Sequence, residues 1–265
     1  MKRYWLLFLF VLLLQESLLS AQELKKVNNE AFIRGEYLKF RVYYHSLLTG
    51  NVTAGEASLE VTGENKKIGN RSTYHIIGQG QSKGAFNLFF KVNDRFESYI
   101  DEQALVPWIF IRRTREGGYV KDDDVVFNHY KNTAKSRTTT CSVPENVQDI
   151  LSIFFYARTM DYSNAKLGDT FDLKFFLDDS TYNSRMIYEG EEVVKTKLGT
   201  FNAIKFKPMV ATGEVFDKAY PMTLWVSNDN NRLPLIAESE VIVGSVRIEL
   251  IDYSGLANTM TSKIK

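Results

Sequence analysis

Three histidines, His45, His75 and His129, and one cysteine, Cys141, are the side chains of this 265-residue chain closest to nucleophile, base and metal-ligand chemistry. Cys141 and His129 suggest a thiolate with its base, because a thiol attacks once a neighbouring base or cation has lowered its pKa. Cys141 follows Thr138-Thr-Thr140 in a strand-like segment, where a buried, neutral thiol is the plainer reading. The histidines show no i, i+4 or other zinc spacing, so no metal is expected. Asp122–Asp124 and Asp178-Asp179 could gather a hard cation, yet neither has the alternating ligands and central glycine of a calcium loop. Aspartate favours turns through its own side chain, which explains both clusters. No Gly-x-Ser-x-Gly elbow marks a serine hydrolase, and Gly78-Gln-Gly80 lacks the Lys-Ser/Thr of a phosphate loop. Scattered Asp and Glu allow a glycosidase pair, as they do in any chain this acidic. No catalytic residue and no cofactor is therefore expected.

The aromatic residues carry more information. Phe86, Phe89 and Phe90 cluster, followed by Phe96 and Tyr99, Trp108 and Phe110, and Phe154-Phe155-Tyr156. Each such ring buries a large area. They make either an ordinary sheet core or the lining of a cleft for an apolar ligand, since open barrels often hold one. The expected lining is Phe89, Phe90, Trp108, Phe154 and Phe155. Arg158 or Arg95 then meets a polar head group, or else pairs with an acid within the fold.

The elements that must position these residues read as strands. Leu38, Phe40, Val42 and Tyr44 alternate with Lys39, Arg41 and Tyr43. The same period recurs in Ala57, Leu59 and Val61, in Phe171, Leu173 and Phe175, and in Val246, Ile248 and Leu250. A period of two marks strands with one buried and one wet face, the habit of antiparallel sheets. Turns are expected at Leu48-Thr-Gly50, Glu116-Gly-Gly118, Asp122–Asp124 and Asn228–Asn231. The spacing of Val147, Ile150, Leu151, Phe154 and Phe155 predicts one amphipathic helix over about 144–160, with Pro144 in its first turn. The fold class is therefore mainly β: a highly curved antiparallel sheet or partly open β-barrel with that one main helix. A single β-rich domain over 22–265 is expected, with its ordered core at about 31–256 and a frayed tail from Asn258.

Residues 1–21 resemble a secretory signal peptide. Lys2 and Arg3 precede the apolar run Tyr4 to Leu14, and Leu19-Ser20-Ala21 suits cleavage. The run is too short and poorly flanked for a membrane span. Export to the periplasm, or secretion, is expected. Cys141 is the sole cysteine, so an internal disulfide is excluded, and no cysteine lies near the cleavage point to carry a lipid. A soluble protein that is not a lipoprotein follows. Lys plus Arg number 33 against 32 Asp plus Glu. Such a balance gives no broad basic field for nucleic acid.

Several segments, in their order and spacing, resemble one family. They include Ala31-Phe-Ile-Arg-Gly-Glu36, Lys91 to Asp101, Val126 to Lys131 and Val147 to Ser152 with Tyr156-Ala-Arg158. Leu198 to Phe201, Leu224 to Ser227, Asn231 to Pro234 and Val243-Gly-Ser245 complete the set. Together these are similar to the domain-of-unknown-function 3108 family of exported bacterial proteins, over about residues 31–256. The resemblance implies an exported, mostly β envelope protein and no catalytic residue. The Trp225 hairpin is also similar to one in periplasmic lipoprotein carriers. The expected role is a binding or carrier module for a lipid or another apolar envelope component. A structural or interaction component of the envelope is the second expectation, and an enzyme the third.

Overall fold

The computed structural model describes residues 23–46, 50–209, 221–241 and 244–264. The expected signal peptide at 1–21 and the Leu48-Thr49 part of one turn lie outside them. The strands are β1 (Tyr37–Ser46), β2 (Gly50–Val61), β3 (Lys66–Ile68), β4 (Arg71–Ser82), β5 (Asn93–Asp101), β6 (Pro107–Glu116), β7 (Tyr119–Asn128), β8 (Thr133–Lys135), β9 (Thr140–Ser142), β10 (Thr170–Leu177), β11 (Ser180–Thr196), β12 (Gly199–Pro208), β13 (Met222–Ser227), β14 (Pro234–Glu240) and β15 (Ser245–Ser254). Among the described residues two short helices, α1 (Phe86–Phe89) and α2 (Ser152–Ala157), interrupt them.

All fifteen strands join one antiparallel sheet, in the order β10-β11-β12-β13-β14-β15-β1-β2-β4-β5-β6-β7-β8-β9, with β3 on β4. Most strands pair with their neighbours in sequence; the exceptions are that β15 pairs with β1, that β2 pairs with β4 past β3, and that β9 and β10 do not pair. The sheet's two edges are therefore β9 and β10, which follow each other in the chain. The connection between them, residues 143–169, has to cross from one edge to the other. It does so over the inner face, so its apolar side chains are buried. The sheet is not closed, but its ends are stitched. Gln148 bridges Phe175 of β10 in parallel, with backbone hydrogen bonds of 2.9 and 2.8 Å. The Asp178-Asp179 turn, both residues at positive φ, reaches Arg112 of β6 and Thr138 beside β9.

Three apolar clusters fill the protein. The first packs Phe32, Ile76, Phe110 and Phe127 around Val147, Leu151 and Phe155 of the crossing segment. The second gathers Leu38, Phe40, Phe201, Leu235 and Leu250. The third lies on the other side of α2, with Phe206, Tyr188 and Tyr162. Gly78 of β4 shows how tight this is, because a Cβ there would stand 3.0 Å from Leu151 Cδ2.

The expected helix over 144–160 is corrected to the six residues of α2. Upstream the backbone is committed elsewhere: Asn146 sits at φ 56° and Gln148 is pinned to β10. Asp149 Oδ1 then accepts the N–H groups of Leu151 and Ser152 at 2.8 and 2.7 Å, which starts the helix late. Asp122–Asp124 is likewise no turn but mid-strand in β7. Arg115 and Arg113 on the adjacent β6 match Asp122 and Asp124 at 2.6 and 2.7 Å. The tail is tied down rather than frayed. Asn202 N and Ile264 N pair with Ser262 O and Thr200 O, and Ser262 Oγ donates to Asp229 at 2.6 Å.

Candidate functional site

Directly opposed residues of paired strands point to one face. Trp225, Ile236 and Glu249 form such a row across β13, β14 and β15. The next row, Thr223, Glu238, Arg247 and Tyr43, extends onto β1. Trp225 and Ile236 belong to the second apolar cluster, so this face turns from apolar to polar along the strands. The tip of the β11–β12 hairpin folds back over it. Lys197 N donates to Glu249 Oε1 at 2.8 Å, and Lys197 Nζ lies 5.3 Å from the Tyr43 ring centroid. Between tip and face lies a cleft of about 920 Å³, to which His45, Lys207, Glu240 and Ser245 also contribute.

The cleft mixes signs. Arg247 is paired with Glu238 and, at 3.3 Å, with Glu249. Lys207 holds Glu189 at 3.2 Å. The Tyr43 hydroxyl is buried with no hydrogen-bond partner among the described residues. Such an orphan costs about 1–3 kcal/mol unless something bonds it. Chemically the site offers the hydroxyls of Tyr43, Thr223, Ser239 and Ser245 with cations and carboxylates for a polar group, and Pro221, Val246 and the Tyr43 ring as its apolar part. Among the described residues no group of three or more His, Cys, Asp or Glu could hold a metal ion.

The six side chains expected to line a cleft are scattered. Phe89 and Phe90 stand 87% and 45% exposed on α1, at the β4–β5 connection. Trp108 is buried elsewhere, its Nε1 donating to Asp101 at 3.1 Å beside His129. Phe154 and Phe155 touch edge to face, and Arg158 lies 5.3 Å from the Phe155 ring. Only these last three come together. Arg158 is 3% exposed, and Glu36 and the carbonyls of Ala31 and Asn231 take its donors. Arg95 pairs with Glu97 at 2.8 Å. The suggested Cys141–His129 couple is engaged otherwise. His129 Nε2 bonds Pro107 O at 2.7 Å, and Cys141 Sγ donates to Asp179 O. Burial lowers the His129 pKa.

Sequence reasoning missed two further features. Burial, with Asp94 beside it, pushes the Glu116 carboxyl up to about 7 against the pull of Arg112. The cleft itself was missed because no local motif announces it. Its polar residues alternate with core residues like any wet strand face, and only the returning hairpin encloses them.

Comparison with known proteins bears on the fold. The family model described as "Protein of unknown function (DUF3108)" matches residues 39–251. A β-barrel-like protein of domain of unknown function DUF1849 from Brucella abortus superposes with a TM-score of 0.56 at 9% identity, covering 88% of this chain and 99% of its own. That likeness extends to the architecture alone. A protein provisionally described as a lipoprotein from Parabacteroides distasonis gives a TM-score of 0.35 at 11% identity, covering 88% of this chain and all of its own. Another, provisionally described as exported with a YmcC-like fold, from Bacteroides fragilis, gives 0.36 at 10% identity with the same coverage. These two superpose too loosely to bear weight. No curated protein matches the sequence. Among the described residues no helix is long and apolar enough to cross a membrane.

Proposed function

The chain belongs to the DUF3108 family of proteins of unknown function, and from that premise we propose that it is an exported binding module of the cell envelope. Its cleft takes an amphipathic component, a lipid or another molecule with an apolar body and a charged end. The observation that carries this is the 920 Å³ cleft, lined by Tyr43, whose buried hydroxyl has no partner among the described residues and whose ring centroid lies 5.3 Å from Lys197 Nζ. The polar head sits against Tyr43, Lys197 and Arg247, and the apolar part lies toward Pro221 and Val246. Binding is passive, from burial of apolar surface at about 25 cal/mol per Å² together with head-group hydrogen bonds. Phe154 and Phe155 reach a ligand only if α2 lifts from the sheet. In this reading residues 1–21 are removed on export, and the rest works as one soluble domain in the periplasm, without a lipid anchor.

Native mass spectrometry of protein purified without detergent tests this. A co-purifying lipid, lost in the Tyr43→Phe and Lys197→Glu variants, is the expected result. Bare protein that also fails to take up envelope lipid extract overturns it. A structural or interaction role is the second reading, favoured by the three filled apolar clusters.

A further inference from the structure

We infer that the end of the molecule formed by α1 and the β6–β7 turn docks on an anionic phospholipid bilayer. Leu88, Phe89 and Phe90 are 83%, 87% and 45% exposed. Large apolar side chains grouped at such exposure mark a contact surface. The neighbouring turn adds Tyr119 and Val120, 50% and 63% exposed. The two tips are one surface. Gly117 N donates to Lys91 O at 2.8 Å, Val92 bridges Glu116, and a Cβ on Gly117 would lie 3.0 Å from the Phe90 ring.

Charge selects the occupant. Residues 83–93 contain Lys83 and Lys91, both exposed, and no acid. Apolar groups with lysines at their flanks suit the boundary between acyl chains and phosphates. Behind the tip, on the outer face of the sheet, Arg95, Arg113 and Arg115 converge on a hollow of about 260 Å³ with Gln79, Gln81, Asn93 and one acid, Asp94, whose Oδ1 accepts the Arg115 N–H at 2.8 Å. Arg95 and Arg113 stand directly opposite each other, a like-charge pair that favours a counter-anion between them. Glu97, Asp124 and Asp122 pair with these arginines, so a phosphate entering the hollow competes with them for the guanidinium groups. Arg115 lies two residues behind Gly117, about 7 Å along the strand. Interfacial apolar groups enter by about 5–10 Å, which brings that hollow to the head-group layer. A second copy of the chain fits less well. Leu88, Phe89 and Phe90 together bury less than the roughly 800 Å² per partner of a specific dimer.

The docking surface is separate from the cleft and does not rest on it. Co-sedimentation of the natively processed protein with vesicles tests it, using phosphatidylcholine alone and phosphatidylcholine mixed with phosphatidylglycerol. Binding about thirtyfold tighter to the mixed vesicles is expected, from roughly 1 kcal/mol for each of Lys83 and Lys91. The double variant Leu88→Ser, Phe89→Ser should lose binding to both without shifting the melting temperature, since both side chains are exposed. Lys91→Gln with Arg113→Gln should reduce the preference for phosphatidylglycerol while binding to phosphatidylcholine alone stays unchanged. No binding to mixed vesicles, or binding unchanged in the serine double variant, overturns the inference. So does a concentration-dependent dimer that the same variant abolishes, which would assign the tip to a second copy.

Discussion

Arg158 and Glu36, 122 residues apart in the chain, form a two-pronged ion pair at 2.6 and 2.8 Å with 3% and 1% of their surfaces exposed. Arg158 also donates to Asn231 O and Ala31 O, each at 3.0 Å, and its guanidinium lies 5.5 and 5.3 Å from the rings of Phe32 and Phe155. One guanidinium thus knots the end of α2, the segment at Ala31, Glu36 immediately ahead of β1 and the β13–β14 turn.

Removing either partner leaves the other charge buried and unmatched. Glu36→Gln and Arg158→Met should each lose about 3–5 kcal/mol of stability. Replacing both by apolar residues should lose less than the two losses together, because no lone charge then remains. Urea denaturation of the three variants measures this, and wild-type stability in Glu36→Gln would contradict it.

Asp149 gives a pH dependence of defined sign. Burial raises its carboxyl to about 6, against the hydrogen bonds from Ser152, Ser98 and Leu151. The folded state therefore holds a proton that the unfolded state, near the ordinary 3.8, has already released. Stability from this group is fully present below about pH 4 and falls as pH rises to about 6, by up to about 3 kcal/mol. Asp149→Asn keeps the oxygen that accepts from Leu151 and Ser152 and should flatten that fall. Thermal unfolding of both proteins across this range compares the slopes.

Gly78 lies under the crossing segment. Gly78→Val places branched carbon where Leu151 Cδ2 already stands 3.0 Å from an added Cβ. Overpacking of this kind costs about 1–3 kcal/mol. Gly80, two residues on, has nothing within 4 Å of an added Cβ, so Gly80→Ala should be nearly neutral. Similar melting temperatures for the two variants would remove the packing account.

Tyr43→Phe removes a buried hydroxyl with no partner. Without ligand the variant should be as stable as the wild type, or more stable by about 1 kcal/mol. Stabilisation by added envelope lipid should shrink in the same variant. Differential scanning fluorimetry with and without lipid reads both effects, and a large destabilisation of the free variant would show that the hydroxyl has a partner.

The strands and two of the four expected turns were legible in the sequence. In extended backbone, side chains point to alternate faces whatever the strand pairs with, so Leu38 and Phe40 show their buried face locally. Gly117-Gly118 and Asn228–Asn231 mark real turns through residues suited to them. Val147, Leu151 and Phe155 were also rightly read as buried. Their helical spacing misled because a segment enclosed by a sheet buries apolar residues whatever its backbone does, and the hydrogen bonds of Gln148 and Asp149 decide that backbone.

What the sequence alone determined is therefore the mainly β character, the family and the set of residues able to fill a core. Tertiary structure decided which partner Arg158 takes, that Phe89 and Phe90 protrude instead of lining a cleft, and that a polar cleft lies under Lys197. Each of these depends on strand register and on a hairpin returning across strands far away in the chain. Residue type and local spacing carry no record of such distant contacts.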